Sequence, residues 1–290
     1  DFSDPALNTS SKQIKSKTAM GAENALTSAE QMHIQMKFDG WFADYAENVA
    51  PAITNGTMAA SGVSGMVGNR ELNAKGMEYD QIVIKSLIGA LCLDQVVNSY
   101  LSPTKIGDAV DNTTRNVDED NNATAMEHHW DEGYGYVYGK FGPNNNDGDL
   151  ETDILLGKYL NKFDDHKATV FEAFKAGRQA ISENCPEERD RQAAIIKETL
   201  SKVTALKAIS YLRDAADSDD LSADYFHSLS EGYGFILSLQ FTYSANGTPY
   251  LSHSEVEAML AQLEAGNGFW DRTDAELNEM ANVIEAAAGL

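Results

Sequence analysis

His128-His129-Trp130-Asp131-Glu132-Gly133-Tyr134-Gly135-Tyr136-Val137 recurs further along the chain as His227-Ser228-Leu229-Ser230-Glu231-Gly232-Tyr233-Gly234-Phe235-Ile236. Seven aligned positions are identical or conservatively replaced in the same order, the signature of an internal repeat. Upstream, Ile84-Lys85 to Tyr100-Leu101 is echoed, with a one-residue slip, by Ile196-Lys197 to Tyr211-Leu212, so a helix pair is matched and not one short word. The repeat predicts an all-α fold: an internally duplicated helical bundle of two four-helix-like units plus a terminal helix. The units span residues 27–163 and 164–290, and residues 1–26 form an N-terminal extension without a clean period. Short connections between the helices agree with the antiparallel logic of bundles.

Working outward, nearly every long segment has helical periodicity, and several open with a capping box, in which a Ser or Thr and a Glu three residues on satisfy the first free N–H groups. Thr27 to Glu30 opens a helix whose inner face carries Ile34, Phe38, Trp41, Phe42 and Tyr45 and which ends before Pro51. Further helices are expected over 78–101, 123–141, 151–162, 167–182, 189–214 and 223–240. Two more follow the boxes Ser252 to Glu255 and Thr273 to Glu276. Two glycines at alternate positions of a helix cost about 1 kcal/mol each relative to Ala. Close backbone approach is the usual compensation, so the two motif helices are expected to cross at Gly133-Gly135 and Gly232-Gly234.

Composition narrows the function. The 45 acidic against 22 basic side chains leave a net charge of −23, which repels phosphate backbones and anionic membrane faces and excludes nucleic acid as a partner. The longest apolar stretch, Ile82 to Val97, is broken by Lys85, Ser86, Asp94 and Gln95, so no transmembrane segment is expected. The two cysteines, Cys92 and Cys185, form neither a CxxC pattern nor a disulfide framework. Neither a nucleophile elbow, nor HExxH, nor a glycine-rich phosphate loop is present. Pro143 to Asp153 resembles a calcium loop, but the twelve-residue pattern places Pro143 first and Ile154 last, where acidic ligands belong. His33, His166 and His253 are expected at solvated or core-edge positions.

The repeated motif carries the chemistry. On a helix, His128 and Glu132 stand four residues apart, as do His227 and Glu231, so each copy presents an imidazole and a carboxylate on one face. His129 and Glu127 enlarge the first set. Imidazole nitrogen with carboxylate oxygen suits zinc, iron or manganese, and bundle proteins build such sites from facing helices. The candidate metal ligands are therefore His129, Glu132, His128, His227, Glu231 and Glu127, with iron or zinc as the cofactor. The competing reading makes the motif the glycine-lined core of the bundle, its His and Glu satisfied by protein hydrogen bonds.

Two resemblances follow from these residues. Asp4-Pro-Ala-Leu-Asn-Thr-Ser-Ser-Lys-Gln-Ile-Lys-Ser-Lys-Thr18, with His-x-Trp-Asp-Glu-Gly-Tyr-Gly-Tyr from His128, resembles an uncharacterised family of Gram-negative envelope lipoproteins, the domain of unknown function DUF4856. The likeness spans most of the chain. It implies a periplasmic or surface location and a natural N-terminus upstream of Asp1, with a lipoprotein signal segment. More distantly, His129-Trp130-Asp131-Glu132 is similar to the His-x-x-Glu of imelysin-like proteins, which are associated with iron uptake. Glu127 stands where that hallmark has glycine, and Ser228 replaces His129 in the second copy. The resulting expectation is a non-enzymatic envelope binding protein for a metal ion or its small-molecule carrier, working with an outer-membrane or envelope partner protein. The alternatives are a structural or interaction module and a metal-dependent hydrolase of the imelysin-like peptidase kind.

Overall fold

The computed structural model describes residues 13–116, 122–139, 155–219 and 221–290. The calcium-loop reading of Pro143 to Asp153 and the acidic run Asp118 to Asp120 lie outside them. Helix α1 (Ser28–Asp44) starts at the expected box: Thr27 accepts from the Glu30 N–H, and the Glu30 carboxylate accepts from the Thr27 N–H at 2.7 Å. It buries Ile34, Phe38 and Trp41. Phe42 and Tyr45, expected on that face, are exposed. At about 100° per residue Phe42 falls some 80° round from Ile34, and Tyr45 begins a π-helical turn, Tyr45–Val49, that shifts the phase. That turn carries the chain on into α2 (Ala50–Thr54), so the helix does not stop before Pro51. Pro51 sits in the first turn of α2, where its missing N–H is tolerated.

A short antiparallel hairpin of β1 (Gly65–Val67) and β2 (Arg70–Leu72), absent from the sequence-based expectation, follows. Its two-residue turn has Gly68 at φ 57°, the arrangement such turns favour. Helix α3 (Tyr79–Leu87) continues through π-helical turns at Ile88–Leu93 and Val96–Tyr100. The resulting helix, Tyr79–Tyr100, is by length and composition apolar enough to cross a membrane, and 78% of its apolar window is buried inside the protein. Then come α4 (Pro103–Ile106), α5 (Ala125–Tyr138), α6 (Gly157–Leu160), α7 (Asp164–Ser182) and α8 (Pro186–Ala216). The chain closes with α9 (Ala223–Ser238), α10 (His253–Glu264) and α11 (Asp274–Ala288).

The fold is all-α. Helix α8 is its axis, with α7, α9 and α11 laid along it, and α3 packs along α9. One hydrophobic cluster, from Ile34 on α1 to Ile284 on α11, therefore runs through both predicted units.

The motif helices do not cross at their glycines. A Cβ added at Gly133 would lie 3.4 Å from the Tyr100 Cβ, and one added at Gly232 would lie 3.4 Å from the Tyr211 Cβ. Each copy packs instead on the tyrosine that precedes it, the same tyrosine that the sequence echo aligned. Tyr100 stacks on Tyr136 with centroids 5.5 Å apart, and Tyr211 stacks on Phe235 at 5.6 Å.

The second glycine distinguishes the copies. At Gly234 a Cβ would come within 2.5 Å of the Lys85 Cβ and 2.8 Å of the Ser86 nitrogen, whereas at Gly135 it meets nothing within 4 Å among the described residues. Gly234→Ala is expected to cost about 1–3 kcal/mol by forcing α3 from α9. Gly135→Ala is expected to raise stability by up to about 1 kcal/mol through helix propensity alone. Urea denaturation of the two variants checks the opposite signs.

Candidate functional site

Ser222 caps α9 by accepting from the Tyr225 N–H, which fixes the helical phase of His227 and Glu231. His227 Nδ1 lies 2.7 Å from Glu78 Oε2. A carboxylate only accepts, so this contact puts the proton on Nδ1 and leaves the Nε2 lone pair for a ligand. Glu78 is buried at the start of α3; Arg70 approaches its side chain at 3.4 Å and its own N–H donates to Ser230 Oγ. Nε2 stands 3.5 Å from Glu231 Oε2, too far for a useful hydrogen bond. Lys85 Nζ approaches the other Glu231 oxygen at 3.1 Å and donates to Gln81 Oε1, and burial followed by the Glu231 charge pushes the Tyr211 hydroxyl above its ordinary pKa. His227 and Glu231 open onto a pocket of about 440 Å³ shared with Lys85, Lys158 and Tyr159.

The first copy repeats part of this plan on α5. His128 Nε2 is 3.6 Å from Glu132 Oε2, and the Tyr100 hydroxyl donates to Glu132 Oε1 at 3.2 Å. His129 Nδ1 lies 2.7 Å from the Lys105 carbonyl, which again leaves Nε2 as the unprotonated nitrogen, here 3.5 Å from Lys105 Nζ. Burial pushes the His129 imidazole below its ordinary pKa, with the neighbouring ammonium adding and the Lys105 carbonyl opposing. Both residues face solvent more than their α9 counterparts: His128 is 43% exposed at its side chain and His227 24%.

Glu127 belongs to a different structure. It closes the capping box of α5 with Thr124, and its oxygens also take Arg115, Arg178 and Ser182. Burial would raise its carboxyl, but the Thr124 N–H, the Ser182 hydroxyl and the Arg178 guanidinium outweigh it and hold the pKa at about 2. Asp131 is held by Arg178 at 3.0 Å.

The six candidates are thus dispersed over two helices. Among the described residues no group of three or more His, Cys, Asp or Glu stands ready to hold a metal ion. Each copy nevertheless offers one pair. Two donors about 2.1 Å from one tetrahedral cation are about 3.4 Å apart, close to the observed 3.5 and 3.6 Å. The remaining positions would fall to water or to the ligand itself. His33 lies 3.2 Å from Glu257, and His253 Nδ1 lies 2.7 Å from Gln240, so neither approaches these pairs. The sequence reading missed Glu78, which no spacing connects to His227. It also missed that the Tyr100 hydroxyl holds Glu132, although the repeat had aligned Tyr100 with Tyr211.

A family described as a domain of unknown function, DUF4856, matches residues 1–290. No curated protein and no solved structure matches the chain.

Proposed function

The chain belongs to the DUF4856 family, a membership that names no activity, and from that premise we propose a non-enzymatic binding protein of the cell envelope that takes up a divalent metal through its His/Glu pairs. The observation that carries this reading is the arrangement at α9. A buried carboxylate, Glu78, orients the His227 imidazole so that Nε2 faces Glu231 at ligand spacing beside an open pocket. Carboxylate–imidazole pairs of this kind support metal-bound histidines, and losing the supporting partner typically weakens affinity 10–100-fold. Zinc and iron both suit one imidazole nitrogen and one carboxylate oxygen. Two protein donors per copy are fewer than the three that hold a hydrolytic metal, which favours cargo over catalysis. The net charge of −23 adds a general attraction for cations.

Isothermal titration of the chelator-stripped protein with zinc and ferrous ion tests this. Saturable binding is expected, lost in His227→Ala and Glu231→Gln and weakened at least tenfold in Glu78→Gln. Unaltered binding in all three, or none in the parent protein, overturns it. At α5 a structural role competes, because there the Glu127 network ties the same helix to α7 through Arg178.

A further inference from the structure

The sequence echo that aligns Tyr100 with Tyr211 also aligns Lys85 with Lys197. Lys85 has a carboxylate, Glu231, at 3.1 Å. Lys197, on α8, has no ion pair among the described residues, and its ammonium lies 3.8 Å from the centre of the Tyr243 ring. Burial lowers its pKa, and the carboxylates of Glu23, Asp190 and Glu198 oppose from farther off without restoring it. Lys197 and Tyr243 line a pocket of about 330 Å³, which reaches back along α8 to Arg189 and Asp190 and across to Asp108. There one buried guanidinium serves two carboxylates: Arg189, 5% exposed, donates from Nη2 to Asp108 Oδ1 at 3.1 Å and from Nε to Asp190 Oδ1 at 2.8 Å. Each aspartate engages it through one oxygen, and the two side chains are 83% and 63% exposed. The pocket therefore has a negative excess around Arg189 and a positive charge at Lys197. Ala193, one turn from both, joins Leu101 and Ile106 in an apolar wall.

We infer that this pocket binds a short peptide of two or three residues through its free termini, the ammonium on Asp108 and Asp190 and the carboxylate on Lys197. The pocket size falls in the range of small-ligand sites, about 300–1,000 Å³. Hydrogen bonds between ionised groups are roughly twice as strong as neutral ones, so the two ends anchor the ligand while apolar side chains lie along the wall. A plain anion would meet the two aspartates, and a plain cation would meet Lys197; a zwitterion satisfies both ends. Length follows from the helix: Asp190 and Lys197 are seven residues apart, about 10 Å along the axis of α8. Two or three extended residues span such a separation at about 3.3–3.6 Å each, and a single amino acid does not. The site shares no residue with the His/Glu pairs, so it does not depend on the metal reading.

The test titrates the full chain calorimetrically with leucyl-leucine, its N-acetyl form, its C-terminal amide, and leucine. Leucyl-leucine is expected to bind saturably, and the acetyl form, the amide and leucine each at least tenfold more weakly. Lys197→Met, which keeps an apolar stem on Tyr243, is expected to weaken leucyl-leucine tenfold or more and to leave the amide unchanged. Asp190→Asn is expected to weaken leucyl-leucine and the amide together and to leave the acetyl form unchanged. No binding of leucyl-leucine, or binding that Lys197→Met and Asp190→Asn both leave intact, overturns the site. A blocked peptide that binds as tightly as the free one overturns the zwitterion, and leucine binding as tightly as leucyl-leucine overturns the peptide in favour of the amino acid. Should a variant fail to fold, the blocked peptides and leucine on the parent protein still decide the question.

Discussion

Replacing Trp130 with Ala is expected to lower stability by about 3–5 kcal/mol, the range for deleting a fully buried large aromatic. Trp130 is 1% exposed and is the ring on which α5 meets α7. Its indole N–H donates to the Phe174 carbonyl at 3.0 Å, and the Phe174 ring meets it edge to face at 5.9 Å. The indole lies against Gly177, where an added Cβ would overlap Cζ2 and Cη2 of the ring. The loss is large because total stability for a domain is only about 5–15 kcal/mol. Trp130→Phe is expected to cost less, since the freed carbonyl remains a helix acceptor and much of the volume stays filled. Gly177→Ala alone destabilises by overpacking, yet in the Trp130→Ala background it is expected to be neutral or stabilising, because the methyl then enters the space the indole has left. Urea denaturation of the four proteins gives the coupling directly, and simple additivity would mean that ring and glycine do not share the site.

The repeat made the all-α class and most helix spans legible, because amphipathic periodicity and capping boxes are local signals. The box at Thr273 to Glu276, for example, starts α11 where the sequence placed it. Neighbouring residues do not encode phase shifts: the π-helical turn at Tyr45–Val49 arises where the helix passes Pro51 and turns toward the hairpin. The hairpin itself has strands of three residues, too short for an alternating pattern. At the candidate site the sequence gives the same-face pairs, which follow from helix geometry alone. It does not give which partner completes them. Glu78 reaches His227 from a helix far away in sequence, and Lys85 reaches Glu231 the same way.

The same contacts explain how the two motif copies differ in their surroundings. On α5 the Tyr100 hydroxyl donates to the motif glutamate Glu132, and on α9 the aligned Tyr211 stacks on Phe235. On α9 the helix is sealed against α3 at Gly234, so Glu78 and Lys85 are delivered to the pair. On α5 no atom of the described residues lies within 4 Å of a Cβ at the equivalent glycine, and the pair remains nearer to solvent. On the reading proposed above, binding is expected at α9, where neighbours lock the side chains that would position a ligand.

Packing of the opposite kind governs Asp94, whose ionisation is expected to make stability depend on pH in a direction uncommon for a carboxylate. Asp94 is fully buried between the two π-helical turns of the Tyr79–Tyr100 helix. It accepts from the Gly21 N–H at 2.6 Å, from Asn98 Nδ2 at 3.0 Å and from Asn24 Nδ2 at 3.1 Å, fastening the segment before α1 to the core. Burial dominates these donors and raises the carboxyl from 3.8 to about 6. Because the folded value lies above the unfolded one, the folded chain binds the proton more tightly between them. This residue's contribution is then complete below about pH 4 and lost as pH rises through about 6, on the order of 3 kcal/mol at 1.36 kcal/mol per pKa unit. Asp94→Asn removes that dependence and turns one acceptor into a donor facing other donors, a loss of about 1–3 kcal/mol. The two effects oppose each other at pH 7, so the variant and the parent are expected to be close in stability there. At pH 4.5 the parent recovers its protonated aspartic acid while the variant gains nothing, and the gap is expected to widen in the parent's favour. Urea midpoints at the two pH values decide the matter: a gap that narrows on acidification would mean that the three donors outweigh burial and hold Asp94 ionised.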